Sequence, residues 1–251
     1  MRTLKLILAY DGADFHGWQV QPGHITVQGM LAEAIFRITG ERVLPQGSGR
    51  TDAGVHALGQ IASIGLDSPI PPTGLKIALN HHLPASVRVL DVTPSDPDFH
   101  ARKSARGKTY RYRIFRGDIC PPFLARYVYH HPFPLDEQAM MEAAREVIGE
   151  HDFTSFAAVD PERGREGAPV CNVRTIYRSE WRREGDEFIY TVRGSGFLQH
   201  MVRNLVGTFL LVGKGTLRSG DVGGILAARR RSTNPGATAP ASGLYLVEVE
   251  Y

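Results

Sequence analysis

The chain has 251 residues, of which 42% are hydrophobic and 22% charged, with a net charge of +3. That length allows one large domain or two of ordinary size, and the composition belongs to a chain with a packed core. No apolar run approaches the ~18 residues of a membrane span. The two distant cysteines, Cys120 and Cys171, make neither a disulfide framework nor a zinc knuckle, which points to a reducing cytoplasm.

In chain order, "TLKLILAY" alternates Leu4, Leu6, Leu8 and Tyr10 on one side and predicts a half-buried strand, not a signal peptide. The glycine-rich "DGADFHGWQVQPGHI" follows as a loop. "TVQGMLAEAIFRITG" sets Val27, Leu31, Ala34, Ile35 and Ile38 at helical spacing, with Thr26 as N-cap and Gly40 as stop. After the loop "GSGRTDAGVHALG" come a strand "QIASIGL", a helix within "SPIPPTGLKIALNHHLPAS", and a strand "SVRVLDVTP". "GKTYRYRIF" alternates again: Tyr110, Tyr112 and Ile114 share one face, Arg111 and Arg113 the other. "LDEQAMMEAAREVIGE" predicts a helix capped by Asp136 and stopped at Gly149. "VRTIYRSEW" and "EFIYTVRG" flank the hairpin signal "RREGD". "GFLQHMVRNLVGTFLLVGKG" predicts the strongest helix, with a stripe of Phe197, Met201, Leu205, Phe209 and Val212. "SGDVGGILAAR" adds a shorter helix and "SGLYLVEVEY" a closing strand. Without regular βαβ alternation, the class is α+β with mostly antiparallel sheet. The pattern hints at two related halves joined near residues 94 to 107.

Charge is unevenly spread. Residues 100–131 hold eight Lys or Arg against one Asp, a local +7, which leaves the rest of the chain at −4. Tyr110, Tyr112, Tyr127 and Tyr129 are interleaved with those cations, and Arg229, Arg230 and Arg231 form a second cluster. Cations mixed with aromatics suit phosphates and stackable bases. A solvated strand face would look the same. The loop at 47–60 is neither a phosphate-binding P-loop nor a dinucleotide fingerprint, because no Gly-Lys-Ser/Thr follows and Asp52 stands where the third glycine belongs. No serine-nucleophile elbow and no H-E-x-x-H occur. The pairs His81–His82 and His130–His131 sit beside proline turns, and no metal site is expected.

Taken together, "GRTDAGVHALGQ", "YDGADFHGWQVQPG", "FHARKSARGKTYRYRI", "HDFTSF", "GSGFLQHMVRNLVG" and "APASGLYLVEV" resemble, in order and over nearly the whole chain, the tRNA pseudouridine synthases of the TruA type. Gln199 stands where that family favours His. The resemblance implies two similar α/β halves related by a pseudo-twofold, residues 1–105 and 106–251, with mostly antiparallel sheets joined across a central basic cleft. It implies a homodimer acting on tRNA, isomerising uridine to pseudouridine at positions 38, 39 and 40 of the anticodon arm without cofactor or metal. Asp52 would be the nucleophile, attacking the sugar or the uracil ring. Arg50 would be its ion-pair partner and would fill the gap left by the extruded base. Tyr110 would stack on the target uracil. By their placement alone, Arg111 and Arg113 on the basic strand face would meet phosphates, and His200 and Arg203, three apart on the predicted helix and off its apolar stripe, would either face the substrate cleft or lie in solvent. Tyr112, Phe15 and Trp18 are expected to pack in the core, and His56 to close its loop. Two alternatives are a non-catalytic tRNA-binding protein and a metal-dependent RNA hydrolase built on Asp11, His16 and the paired histidines.

Overall fold

Period-two patterning sets the first strand, β1 (Arg2–Tyr10), which buries Leu4, Leu6, Leu8 and Tyr10 on one face. The fold was obtained as a computed structural model that describes residues 1–158 and 171–251. After β1 come α1 (Val27–Thr39), β2 (Gln46–Gly47), β3 (His56–Leu66), α2 (Pro72–His82), β4 (Val87–Pro94), β5 (Gly107–Phe115) and β6 (Tyr129–His130). The chain continues through α3 (Glu137–Arg145), β7 (Gly149–Asp152), β8 (Val173–Glu184), β9 (Glu187–Gly194), α4 (Met201–Gly213), α5 (Asp221–Ala227) and β10 (Leu244–Glu250). The fold is mixed α and β, and its strand pairs are mostly antiparallel. The expected boundary lay at residues 105/106. The chain divides into one unit of Met1–Lys108 with Tyr245–Tyr251, and another of Thr109–Leu244.

In the first unit the strand order is β4-β1-β3-β10. β1 runs antiparallel to both β3 and β4. β10 pairs in parallel with β3, setting Tyr245 beside His56. A closing strand therefore reaches the end of β3 that follows the "GRTDAGV" loop. α1 begins where Thr26 Oγ1 accepts from the Gly29 N–H and ends at Gly40, whose φ of 76° lets the chain turn. Its stripe Val27, Leu31, Ala34 and Ile35 is buried, worth roughly 1.5–3 kcal/mol for each large side chain.

In the second unit the order is β5-β9-β8-β7. β8 and β9 form the expected hairpin, closing at Glu184 opposite Glu187, with Gly185 at a φ of 57° in the turn. Trp181 stacks on Phe188 at 4.6 Å, and Phe209 of α4 meets Tyr190 edge-on at 5.3 Å. A buried polar cluster ties α4 to its surroundings. Asn204 Nδ2 donates to the Phe156 carbonyl (2.7 Å), the Thr238 hydroxyl donates to Asn204 Oδ1 (2.7 Å), and Thr208 bonds Asn234 Oδ1 at 2.9 Å.

Three expectations need correction. Gly149 does not stop α3, which ends at Arg145; Gly149 takes a φ of 111° and opens β7. The α4 helix starts at Met201, so Phe197 lies outside it, although Met201, Leu205, Phe209 and Val212 are buried as the stripe requires. The strand "QIASIGL" is only the second part of β3, which begins at His56.

Candidate active site

The loop carrying Asp52 is built from alternating anchors and presented side chains. Ser48 and Thr51 are buried, Arg50 is exposed and Asp52 is half-buried. The anchors look inward because their hydroxyls find partners there. Ser48 Oγ donates to Gln60 Oε1 at 2.6 Å. Gln60 Nε2 donates to the Gly49 carbonyl at 2.9 Å and reaches the Tyr10 oxygen at 3.4 Å. That leaves the Tyr10 hydroxyl proton for Thr51 Oγ1, 2.8 Å away. Burial pushes the Tyr10 phenol up to about 12, so it stays a donor at neutral pH. Lys108 Nζ donates to the Ser48 carbonyl at 2.6 Å, bringing a cation to the loop.

The "DGADFHGW" segment braces the same loop through its backbone. The Trp18 N–H donates to the Thr51 carbonyl (3.0 Å) and the Gly54 N–H to the Phe15 carbonyl (3.2 Å). The Val55 N–H closes the turn onto the Asp52 carbonyl at 3.1 Å. At Gly17, whose φ is 85°, a Cβ would lie 2.5 Å from the Thr51 carbonyl oxygen, so only glycine permits this approach. Phe15 and Trp18 are buried, as core packing predicts. A backbone fixed on every side presents Arg50 and Asp52 with little freedom to reorganise, which is what a reacting group requires.

On β5, Tyr110 is buried with 7% exposure and meets Phe197 edge-on at 5.0 Å. Tyr112 is fully buried and donates to the Pro240 carbonyl at 2.8 Å, and burial raises its phenol pKa strongly. Arg111 is exposed on the opposite face of the strand, so it does not flank the Tyr110 ring. Arg113 shares that face and is held by Glu187, with Nε 2.6 Å from Oε2. Arg203 is half-buried, and its Nε donates to the Ala239 carbonyl at 2.7 Å. His200 stands just before α4 with a left-handed backbone, φ 58° and ψ 2°, and no capping bond from its side chain, so it is not part of the helix that carries Arg203. The two side chains therefore sit on different backbone geometries despite their spacing of three.

The anchors Ser48, Thr51, Gln60 and Tyr10, and the cation Lys108, escaped the sequence reading. No local signal marked them: β3 buries the polar His56, Gln60 and Ser63 beside Ala57, Ile61, Ala62 and Ile64, and their partners lie far away in sequence. Among the described residues no three His, Cys, Asp or Glu side chains converge as metal ligands. His16 and His24 lie ring to ring at 4.2 Å, and His81 meets His82 edge-on. No helix among the described residues is long and apolar enough to cross a membrane.

A carboxylate and a guanidinium on a clamped, glycine-rich loop are an arrangement chemically suited to covalent or electrostatic work on a substrate. The sequence matches the tRNA pseudouridine synthase family over residues 6–102 and 143–251, and the chain belongs to that family. It is similar to tRNA pseudouridine synthase A of Solibacter usitatus, with 49% identity over 251 residues and all of both chains covered. It is also similar to the tRNA pseudouridine synthase A proteins of Brevibacillus brevis and Lacticaseibacillus casei. Each of these is 45% identical, again with the whole of both chains covered.

Proposed function

We propose that the protein isomerises uridine to pseudouridine in tRNA, at positions 38, 39 and 40 of the anticodon arm, with Asp52 as nucleophile and without a cofactor. The observation that carries this reading is the Asp52 loop, in which buried Ser48 and Thr51 fix the backbone while Asp52 stays half-exposed. In the reaction the C1′–N1 bond of the nucleoside breaks and a C1′–C5 bond forms. The C5 proton leaves and N1 gains one, so atoms and electrons balance with no oxidant. Asp52 captures the nucleoside covalently and is released when the new bond is complete. Arg50 pairs with the Asp52 carboxylate and occupies the space of the extruded base. Tyr110 stacks on the uracil, and its edge-on contact with Phe197 holds the ring orientation. Arg203 and His200 contact the RNA from the start of α4. Arg111, exposed on the far face of β5, meets backbone phosphates away from the target nucleotide. Arg113 has Glu187 as a competitor for any phosphate.

The same reading carries a cytoplasmic homodimer, and Ile119 and Phe123, 85% and 88% exposed, are the apolar side chains such an interface would cover. Sedimentation analysis of the Phe123→Glu variant tests this, because a dimer unchanged by that charge would place the interface elsewhere. The activity is tested by tritium release from C5-labelled uridine in tRNA. Asp52→Asn should lower release by more than about a thousandfold with tRNA affinity retained. Release at the wild-type rate would remove Asp52 from the chemistry.

A further inference from the structure

His56 is the first residue of β3 and directly follows the Asp52 loop, with 2% of its surface exposed. Its ring stacks on Tyr245 at 4.8 Å with 21° between the planes. Its Nδ1 lies 3.0 Å from the Gly12 backbone nitrogen and 3.2 Å from Asp11 Oδ1. One ring nitrogen cannot serve both. It accepts from the Gly12 N–H only as a lone pair, and it donates to Asp11 only when it carries a proton. Asp11 Oδ1 also accepts from the Ala13 N–H at 3.0 Å, so the carboxylate is pinned in its turn. The titratable groups set against the ring include the Asp11 carboxylate and the Tyr245 phenol.

Gly12 is mechanically joined to the loop. A Cβ on it would lie 2.0 Å from the Val55 carbonyl oxygen, so the two backbones touch directly. Val55 in turn holds the Asp52 carbonyl through its own N–H at 3.1 Å. Whatever fixes Gly12 thus fixes Val55 and, one bond further, Asp52.

We infer that His56 is a positioning residue for Asp52: as a neutral imidazole it holds Gly12 against Val55 through Nδ1, and when protonated it turns that bond to Asp11 and releases Gly12. This rests on the reading of Asp52 as the nucleophile. Protonation leaves the Gly12 N–H without its acceptor at the point where the loop is braced. A displacement passed on to Asp52 lowers kcat more than tRNA binding, because Tyr110, Arg111, His200 and Arg203 lie on other elements.

The test is a pH–rate profile on full-length protein with an unmodified tRNA transcript, between about pH 5 and 8. In His56→Asn the amide oxygen can still accept from Gly12 but cannot take a proton. We expect near-wild-type kcat at neutral pH, unchanged KM and loss of the wild-type acid limb. In His56→Ala the acceptor is gone, and kcat should fall about ten- to a hundredfold across the range with KM nearly unchanged. Nitrogen-15 NMR of the His56 ring in the wild-type chain should show the proton on Nε2 at about pH 8 and a titration midpoint matching the limb. An acid limb retained in His56→Asn, wild-type kcat in His56→Ala, or a proton on Nδ1 at neutral pH would each overturn the inference. If His56→Ala fails to fold, as thermal melting would reveal, His56→Asn and the ring tautomer still decide. If the wild-type enzyme releases no tritium, the proposed reaction falls, while the NMR tautomer still reports on the His56–Gly12 bond.

Discussion

Replacing Gly17 with alanine tests the idea that the Asp52 loop works because it is clamped from outside. Two costs add there. The φ of 85° is a conformation that a Cβ disfavours by about 1 kcal/mol. The added Cβ would also sit 2.5 Å from the Thr51 carbonyl oxygen, 3.1 Å from the Asp52 carbonyl carbon and 3.2 Å from the Ala53 nitrogen. Ordinary contact begins at 3.4 Å, so the loop must recoil by about 0.9 Å, the difference between 3.4 and 2.5. All three obstacles are backbone, which cannot swing aside as a flexible side chain would. Overpacking of this kind costs about 1–3 kcal/mol, for a total of roughly 2–4 kcal/mol with the strain included. For a chain of this size that lowers Tm by roughly 4–16 °C. A displacement of about 1 Å at a nucleophile lowers kcat about a hundredfold. Gly23→Ala is the control, since Gly23 has a φ of 77° but nothing within 4 Å of its Cβ. It should cost only the strain, about 1 kcal/mol, and leave kcat unchanged. Tritium release and a thermal melt on both variants give the readout. Wild-type kcat in Gly17→Ala, or an equal loss of kcat in Gly23→Ala, would refute the clamp.

Two further outcomes are expected. Arg111→Ala should reduce the salt dependence of tRNA binding by about 0.7–0.9 in the log–log slope, as one lost phosphate contact predicts. Arg113→Ala should leave the slope nearly unchanged and cost up to about 1 kcal/mol of stability, because Arg113 is committed to Glu187; equal slope changes in the two variants would overturn that distinction. His131 is buried, and burial first, then Lys214 and the Arg116 guanidinium, hold its pKa below the ordinary value. The unfolded chain therefore binds this proton at a higher pH than the folded one does, so His131 makes stability fall as pH drops through about 6.5 and leaves it level above. Urea midpoints from about pH 8 to 5 should fall more steeply for wild type than for His131→Asn, and parallel curves would rule out His131 as the source.

Elements set by local pattern were legible, and those set by distant partners were not. β1, α1 and the β8–β9 hairpin carry their own signals: alternation, a Thr26 cap with a Gly40 stop, and a turn at Gly185. α4 was readable by its stripe but not at its start. "GFLQHM" continues helical composition, and only the left-handed backbone at His200 breaks it. Gly149 was misread for a related reason. A glycine after a helix signals a stop, but here the helix had ended at Arg145 and the positive φ serves entry into a strand paired with β8. β2 and β6, two residues each, exist only because β3 and β5 offer them an edge. β10 was legible as a strand, yet its parallel place beside β3 lies beyond any local signal.

The Asp52 loop and the β5 strand divide along the same line. Asp52, Arg50 and Tyr110 stood out because their neighbourhoods are chemically odd, an acid among glycines and an aromatic among cations. The residues that fix them did not stand out, because each is ordinary until it meets its partner. Tyr10 looks like one more apolar position of β1, and Gln60 like a solvent-facing residue of β3. Brought together across 50 positions of sequence, they become a buried pair holding Thr51 and Gly49. A lone buried amide would cost about 1–3 kcal/mol, so Gln60 is tolerable only because the loop it supports satisfies it in return. That mutual dependence makes the loop stiff, since neither Ser48 nor Thr51 can turn outward without stranding a polar group in the core. Stiffness here is thus a consequence of hydrogen-bond accounting in a dry interior, on a loop whose charged residues are the exposed Arg50 and the half-buried Asp52.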